Sequence, residues 1–277
     1  SSQALIDLHS LIYDSTDPND LPETDAWQLR QAFVGRDLET RLAAMRRLWR
    51  EANGPLEREA ARALLGRAAA RVAPDPDLQA DAPDLIATML AAGYDQEAAR
   101  WAGAVRQMDD RYADQAWAML ALAAPRTAGL DLSIGRINGF IGRDQSPGRT
   151  RSALLVAGLA GLGRIDSNTA GRLNGRHNLN IDRRTRWTRM VDGAGALGQP
   201  ASVLVLTGTG FQAPGFEQMP AAHLFHAVAA LNRSGQDIIA RMIAADDAVF
   251  GQPQVRHGAN TTEFVYGDYQ DWTNPLF

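Results

Sequence analysis

Apolar residues recur along this chain at helical spacing. Leu38, Leu42, Met45, Leu48, Trp49 and Ala52 stand at i, i+4, i+7, i+10, i+11 and i+14, one face of a helix. Asn53-Gly54-Pro55 ends that helix, because Asn and Gly tolerate left-handed backbone and Pro cannot continue the ladder. The spacing predicts a second helix over 56–72, and so short a link predicts an antiparallel hairpin. A shorter helix is predicted over 4–13. An acidic loop with Asp14, Asp17, Asp20, Glu23 and Asp25 follows it. These acids lack the alternate spacing and central Gly of an EF-hand, so helix caps and solvated loop are the expected roles.

The hairpin pattern recurs. Glycines at 54, 93, 129, 163, 198 and 235 follow one another at intervals of 39, 36, 34, 35 and 37 residues. A fixed period in this range is the signature of a stacked helical array. The flanking positions carry more weight than the glycines. Eight before the turn stand Leu85, Ala121, Leu155, Met190 and Ala227. Five after it stand Ala98, Ile134, Asn168, Val203 and Ala240. Most are apolar, on the face a hairpin partner would cover. Pro125, four before its turn where the other units carry Met89, Leu159, Ala194 and Leu231, and Asn168 break the pattern.

The stretch Gly93-Tyr94-Asp95-Gln96-Glu97-Ala98 resembles the inter-helix turn of a tetratricopeptide repeat, a family with a 34-residue period and an Ala five after its turn Gly. Ala240 after Gly235 and Trp187 eleven before Gly198 also fit that family. Seven before the turn the family prefers a small residue; here stand Ile86, Leu122, Val156, Val191 and Val228. The resemblance implies helical hairpins that bind other proteins.

The expected fold is all-α: an α-solenoid or superhelix of about five to six antiparallel hairpins with a period of roughly 35 residues. The expected organisation is an N-terminal helix and acidic loop over 1–25, a repeat domain over 26–250 and an aromatic tail over 251–277. The segment 202–211, SVLVLTGTGF, is rich in β-branched residues and reads as strand by composition, but as a second helix in the repeat register, which is preferred. Its TGTG is then a helix end and not a phosphate loop, since no Lys follows. The tail, with Phe264, Tyr266, Tyr269, Trp272 and Phe277, has no helical period. It is expected to cap the last hairpin or to dock on its own groove or on a neighbouring copy.

Composition narrows the chemistry. The chain has no Cys, which excludes disulfides, a thiol nucleophile and Cys-based metal sites. All 28 basic residues are Arg, which excludes a Schiff-base or P-loop lysine. GC-rich bacterial codon usage accounts for this. No apolar run approaches the roughly 20 residues that span a bilayer, and the first residues lack the basic and apolar regions of a signal peptide. A soluble protein of the cytoplasm or periplasm is expected, with the periplasm or cell envelope favoured. There is no Gly-x-Ser-x-Gly elbow. The pairs Asp109–Asp110 and Asp246–Asp247 point about 100° apart on a helix and suit caps better than acid–base work.

Charge is uneven. Residues 133–190 hold 11 Arg and three acids, a net +8, in a chain whose formal net charge is −4. Stacked hairpins would gather such a block into a basic zone that attracts an acidic peptide or other anion. Alternatively, the arginines lie on separate faces or pair with the acidic stretches on either side. The densest cluster is 175–187, GRHNLNIDRRTRW. Arg176, Arg183, Arg184, Arg186, Trp187 and Arg189 are the candidate binding residues, with Asp182 expected to cap the next helix. Nucleic acid is disfavoured, because only Phe140 and Trp187 offer stacking surfaces in the block. His177 with Asp182 would form an acid–base pair, and His223 with His226 would hold a metal if Asp246, Asp247 or His257 joined them. Neither is forced, so no cofactor or metal is expected. The leading expectation is a non-enzymatic scaffold or adaptor that binds a protein or peptide. Its rivals are an enzyme acting in a polar hollow through Asp182, His177 and Arg183, and a structural oligomer.

Overall fold

Four of the six spaced glycines close a helix in one and the same way. In the computed structural model, which describes residues 2–15, 17, 19–52, 54–125, 129–211 and 219–249, Gly93, Gly163, Gly198 and Gly235 have φ of 80°, 65°, 61° and 82°. The following N–H reaches back five residues each time: Tyr94 to Met89 O, Arg164 to Leu159 O, Gln199 to Ala194 O and Gln236 to Leu231 O. Only a left-handed residue at the turn allows that bond, and glycine adopts it without a Cβ penalty. Gly54 and Gly129 also have positive φ but serve differently. Gly54 precedes the Pro that opens a helix, and Gly129 lies in a non-helical connection.

The helices are α1 (Ser2–Ser15), α2 (Asp25–Val34), α3 (Leu38–Glu51), α4 (Pro55–Ala70), α5 (Ala82–Ala91), α6 (Asp95–Ala99), α7 (Ala102–Val105), α8 (Asp110–Ala123), α9 (Ile134–Arg143), α10 (Thr150–Gly161), α11 (Ser167–His177), α12 (Arg186–Ala196), α13 (Pro200–Gly210), α14 (Ala221–Arg233) and α15 (Asp237–Val249). No strand occurs among the described residues. The described residues are therefore all-α, and 202–210 is helix, as its register predicts. The turns at Gly93, Gly163, Gly198 and Gly235 lead from α5 to α6, α10 to α11, α12 to α13 and α14 to α15. The third unit departs because Pro125 cannot continue α8, which stops at Ala123.

The predicted inward positions are inward. Leu85, Ala121, Leu155 and Ala227 are buried, as are Ala98, Val203 and Ala240; Met190, 49% exposed, and Ile134, 37% exposed, are the exceptions among the apolar ones. The larger residues seven before each turn, Ile86, Leu122, Val156, Val191 and Val228, are all fully buried. Close approach is instead provided by glycine elsewhere. A Cβ at Gly158 would lie 2.7 Å from Leu122 Cδ2, and one at Gly161 would lie 2.9 Å from Phe225 O.

The core centres on α8 and α10. From Ser152 to Leu159 every residue of α10 is buried, as a helix apolar on all sides requires. Packing is not confined to consecutive hairpins. The last hairpin returns to the middle of the chain, with α14 against α10 and α12, and α15 against α8 and α10. Two guanidiniums, one from the turn after α10 and one from α15, meet at the C-terminus of α8. Arg164 donates to Ala121 O and Ala124 O, and Arg241 donates to Ala123 O while pairing with Asp95 and Asp237. Carbonyls left free by the helix end receive cations there, which also suits the helix dipole. The aromatic tail lies outside the described residues. No helix among them is long and apolar enough to cross a membrane.

Candidate functional site

The candidate arginines sit on the last turn of α11 (Arg176), in the link to α12 (Arg183 and Arg184) and on the first turns of α12 (Arg186 and Arg189). The chain leaves α11 through Asn178 and Asn180, both left-handed at φ 53°. Leu179 and Ile181 turn inward and are buried, while Asn178, Asn180, Asp182, Arg183 and Arg184 are exposed. Asn174 holds the loop: its Oδ1 accepts from Ile181 N at 3.2 Å and its carbonyl from Leu179 N at 3.3 Å. Alternating burial thus anchors the loop from below and directs its charged residues outward.

The cap of α12 is Thr185 and not Asp182. Thr185 Oγ1 accepts from Thr188 N, and Thr188 Oγ1 accepts from Thr185 N at 2.8 Å, a reciprocal pair that satisfies two end donors. Thr188 is buried, which sets the rotation of the helix and leaves Arg186 and Arg189 exposed. Trp187 turns inward. Its indole N–H donates to Leu206 O at 2.9 Å, its ring lies 4.5 Å from the His223 ring, and a Cβ at Gly210 would come within 2.2 Å of it. Trp187 is therefore a packing residue under the arginines, and its faces are taken by Gly210 and His223.

The basic block divides into two populations. Arg136 and Arg143 both reach Asp114, at 2.6 Å each, and Arg143 also pairs with Asp110 at 3.0 Å. Arg164 serves the end of α8, and Arg172 donates to Thr169 Oγ1 at 3.3 Å. Arg176, Arg183, Arg184, Arg186 and Arg189 are exposed and have no ion pair or hydrogen bond among the described residues. Pairing with the preceding acidic stretch accounts for Arg136 and Arg143 and not for these five.

The site also includes residues that spacing did not gather. Arg149, the left-handed residue that opens α10, lies near His177 together with Arg176. Burial and these two cations hold the His177 imidazole below its ordinary basicity. His177 Nε2 lies 2.9 Å from Asn138 Oδ1, so its partner is an amide and not Asp182, and the expected acid–base pair is not formed. Burial, His226 and Arg183 lower the basicity of His223, and the Trp187–His223 contact brings the start of α12, just after Arg183, to the N-terminal end of α14. Nothing in the sequence near 183 pointed to α14.

His226 is 3% exposed and its Nδ1 lies 2.9 Å from Asp192, which also accepts from Arg233 at 3.2 Å. His223 stacks on Trp187 instead. Among the described residues no three His, Asp or Glu side chains are grouped to hold a metal. The side chains of Asp246 and Asp247, and His257 entirely, lie outside the described residues. Asp109 caps α8 by accepting from Arg111 N, and Asp110 pairs with Arg143, the structural roles expected of them. No known protein family, curated protein or solved structure matches this chain.

Proposed function

We propose that this chain is a non-enzymatic binding scaffold whose arginine-rich surface, Arg176, Arg183, Arg184, Arg186 and Arg189, engages an acidic segment of a protein partner. One observation carries this reading: these guanidiniums are exposed and have no counter-charge among the described residues, while neighbouring arginines of the same block are spent on Asp114 and on helix carbonyls. An exposed guanidinium offers a planar fork that matches a carboxylate bidentately. Several together attract an anion from a distance and orient it on contact. A protein partner is favoured over nucleic acid because Phe140 is buried and Trp187 is half-buried against His223, which leaves the block poor in rings to stack on bases.

In this reading the hairpins closing at Gly163, Gly198 and Gly235 are successive copies of one degenerate unit of an α-solenoid. The binding residues occupy the link between the first two copies and the opening of the second. The shared hydrogen-bond scheme of the turns supports that unit.

The test is fluorescence anisotropy with a fluorescein-labelled deca-glutamate peptide. Wild type should bind it, less tightly as salt rises. Arg183→Glu/Arg186→Glu/Arg189→Glu should weaken binding by about tenfold or more, equivalent to 1.4 kcal/mol. Arg100→Glu/Arg106→Glu, reversing exposed arginines elsewhere, should not. Equal binding by wild type and the triple variant would sink the proposal. Tighter capture of an oligonucleotide than of the peptide would overturn the choice of partner.

A further inference from the structure

The arginine surface has a candidate occupant within the same chain. Residues 257–277 contain Glu263, Asp268 and Asp271 and no Arg, interleaved with Phe264, Tyr266, Tyr269 and Trp272. The surface offers the complementary set. Met190 on α12, next to Arg189 in sequence, and Leu204 and Val205 on α13, which packs on α12, are exposed apolar residues, Val205 at 66%.

Helix directions bring the tail's origin to this surface. Trp187 stacks on His223, Asp192 bonds to His226, and Gly195 lies against Ala230, so α12 and α14 run parallel. The Gly235 turn joins α14 to α15, which pack together and have 13 residues each. Equal antiparallel helices bring Val249 level with the start of α14, the end where the His223 ring lies against Trp187, four residues after Arg183. The 13 residues from 250 to 262 can span at most about 45 Å, more than the length of any helix here. The segment 212–218, which also joins this end, carries one carboxylate, Glu217, against five arginines.

We infer that segment 263–277 docks in cis on the Arg183–Arg189 surface, its carboxylates on the guanidiniums and its rings on the apolar faces of α12 and α13. There it competes with an external acidic partner, a consequence that rests on the binding role proposed above. Covalent tethering makes even a weak contact effective, because the local concentration of the tail is high. The tail would then set a threshold that only a strongly acidic or multivalent partner passes.

The absence of Cys allows a direct test in the full chain. Spin labels at Gly208→Cys and Thr273→Cys report the distance from α13 to the tail by pulsed electron resonance. The expected result is a narrow short-distance population. It should be lost in Arg183→Glu/Arg186→Glu/Arg189→Glu and in Glu263→Gln/Asp268→Asn/Asp271→Asn. A broad distribution that neither set of substitutions changes would overturn the inference. Dilution with unlabelled chain should leave the short population intact; its disappearance would assign the tail to a second copy and overturn docking in cis. Deca-glutamate separates the two readings. The tail variant should bind it roughly tenfold more tightly than wild type. Short distances without peptide binding would remove the external partner and keep the docked tail. Arginine-dependent binding that is equal in wild type and tail variant would overturn the competition.

Discussion

Gly161 and Gly171 should answer alanine in opposite directions. A Cβ at Gly161 meets Phe225 O and Val228 Cβ at 2.9 Å, backbone and a β-branched carbon that cannot swing away. Gly161→Ala should cost about 1–3 kcal/mol through overpacking of α10 on α14. Gly171 is exposed on α11 with open space around it, and Gly171→Ala should stabilise by roughly 0.5–1 kcal/mol by restricting the unfolded chain. Urea unfolding midpoints at unchanged slope check both. His223 makes a second test at this scale. Burial, His226 and Arg183 depress its basicity, so the unfolded chain binds the proton more readily than the folded one. Stability contributed here is complete above the unfolded value near 6.5 and falls as pH drops through the folded one. Arg183→Glu should raise the His223 titration midpoint, read from imidazole NMR shifts. An unmoved midpoint would separate Arg183 from α14.

Between elements, the α8–α9 contact turns on one carboxylate. Asp114 receives both Arg136 and Arg143, and the Arg136 guanidinium also lies 4.4 Å from the centre of the Trp117 ring. Burial raises the Asp114 carboxyl, but the two arginines outweigh it and hold the group below the usual carboxylate range. A depressed acid contributes stability above its unfolded pKa and loses it as pH falls through the folded value. Asp114→Asn should therefore destabilise by about 1–3 kcal/mol at pH 7, since it leaves two guanidiniums poorly paired. It should also flatten the acid limb of the stability profile below pH 4, where wild type falls. Denaturant titrations at pH 7 and pH 3 measure both effects. A wild-type and variant difference that is the same at the two pH values would show that the arginines do not govern this carboxylate.

At the scale of the molecule, the arginine surface should be separable from the fold. Arg183, Arg186 and Arg189 have no partners among the described residues, so reversing all three should change stability by no more than roughly 0.5 kcal/mol per site while abolishing peptide binding. Arg241 is the contrast. It joins α15 to α6 and to the end of α8, contacts made across more than a hundred residues of chain, and Arg241→Gln should lower the thermal midpoint. Equal midpoints for this variant and wild type would show that apolar packing alone holds the returning hairpin.

The six spaced glycines and the apolar positions around them determined the helices, their breaks and most of their buried faces. Those depend on local geometry: left-handed turns, proline at helix starts and periodicity of 3.6. The arginine cluster was also legible, because 176–189 is short and continuous, and so was the helical reading of 202–211. Tertiary structure decided the rest. Asp182 yielded the cap to Thr185, since burial of Thr188 sets the rotation of α12. His177 went to Asn138 and Trp187 to Leu206 O, partners from other elements that no spacing encodes. Arg136 and Arg143 were removed from the basic block by a carboxylate about twenty to thirty residues upstream. Above all, α15 lies against α8 because an apolar face and one guanidinium fit there, a choice made by packing between distant helices and invisible to any repeat read along the chain.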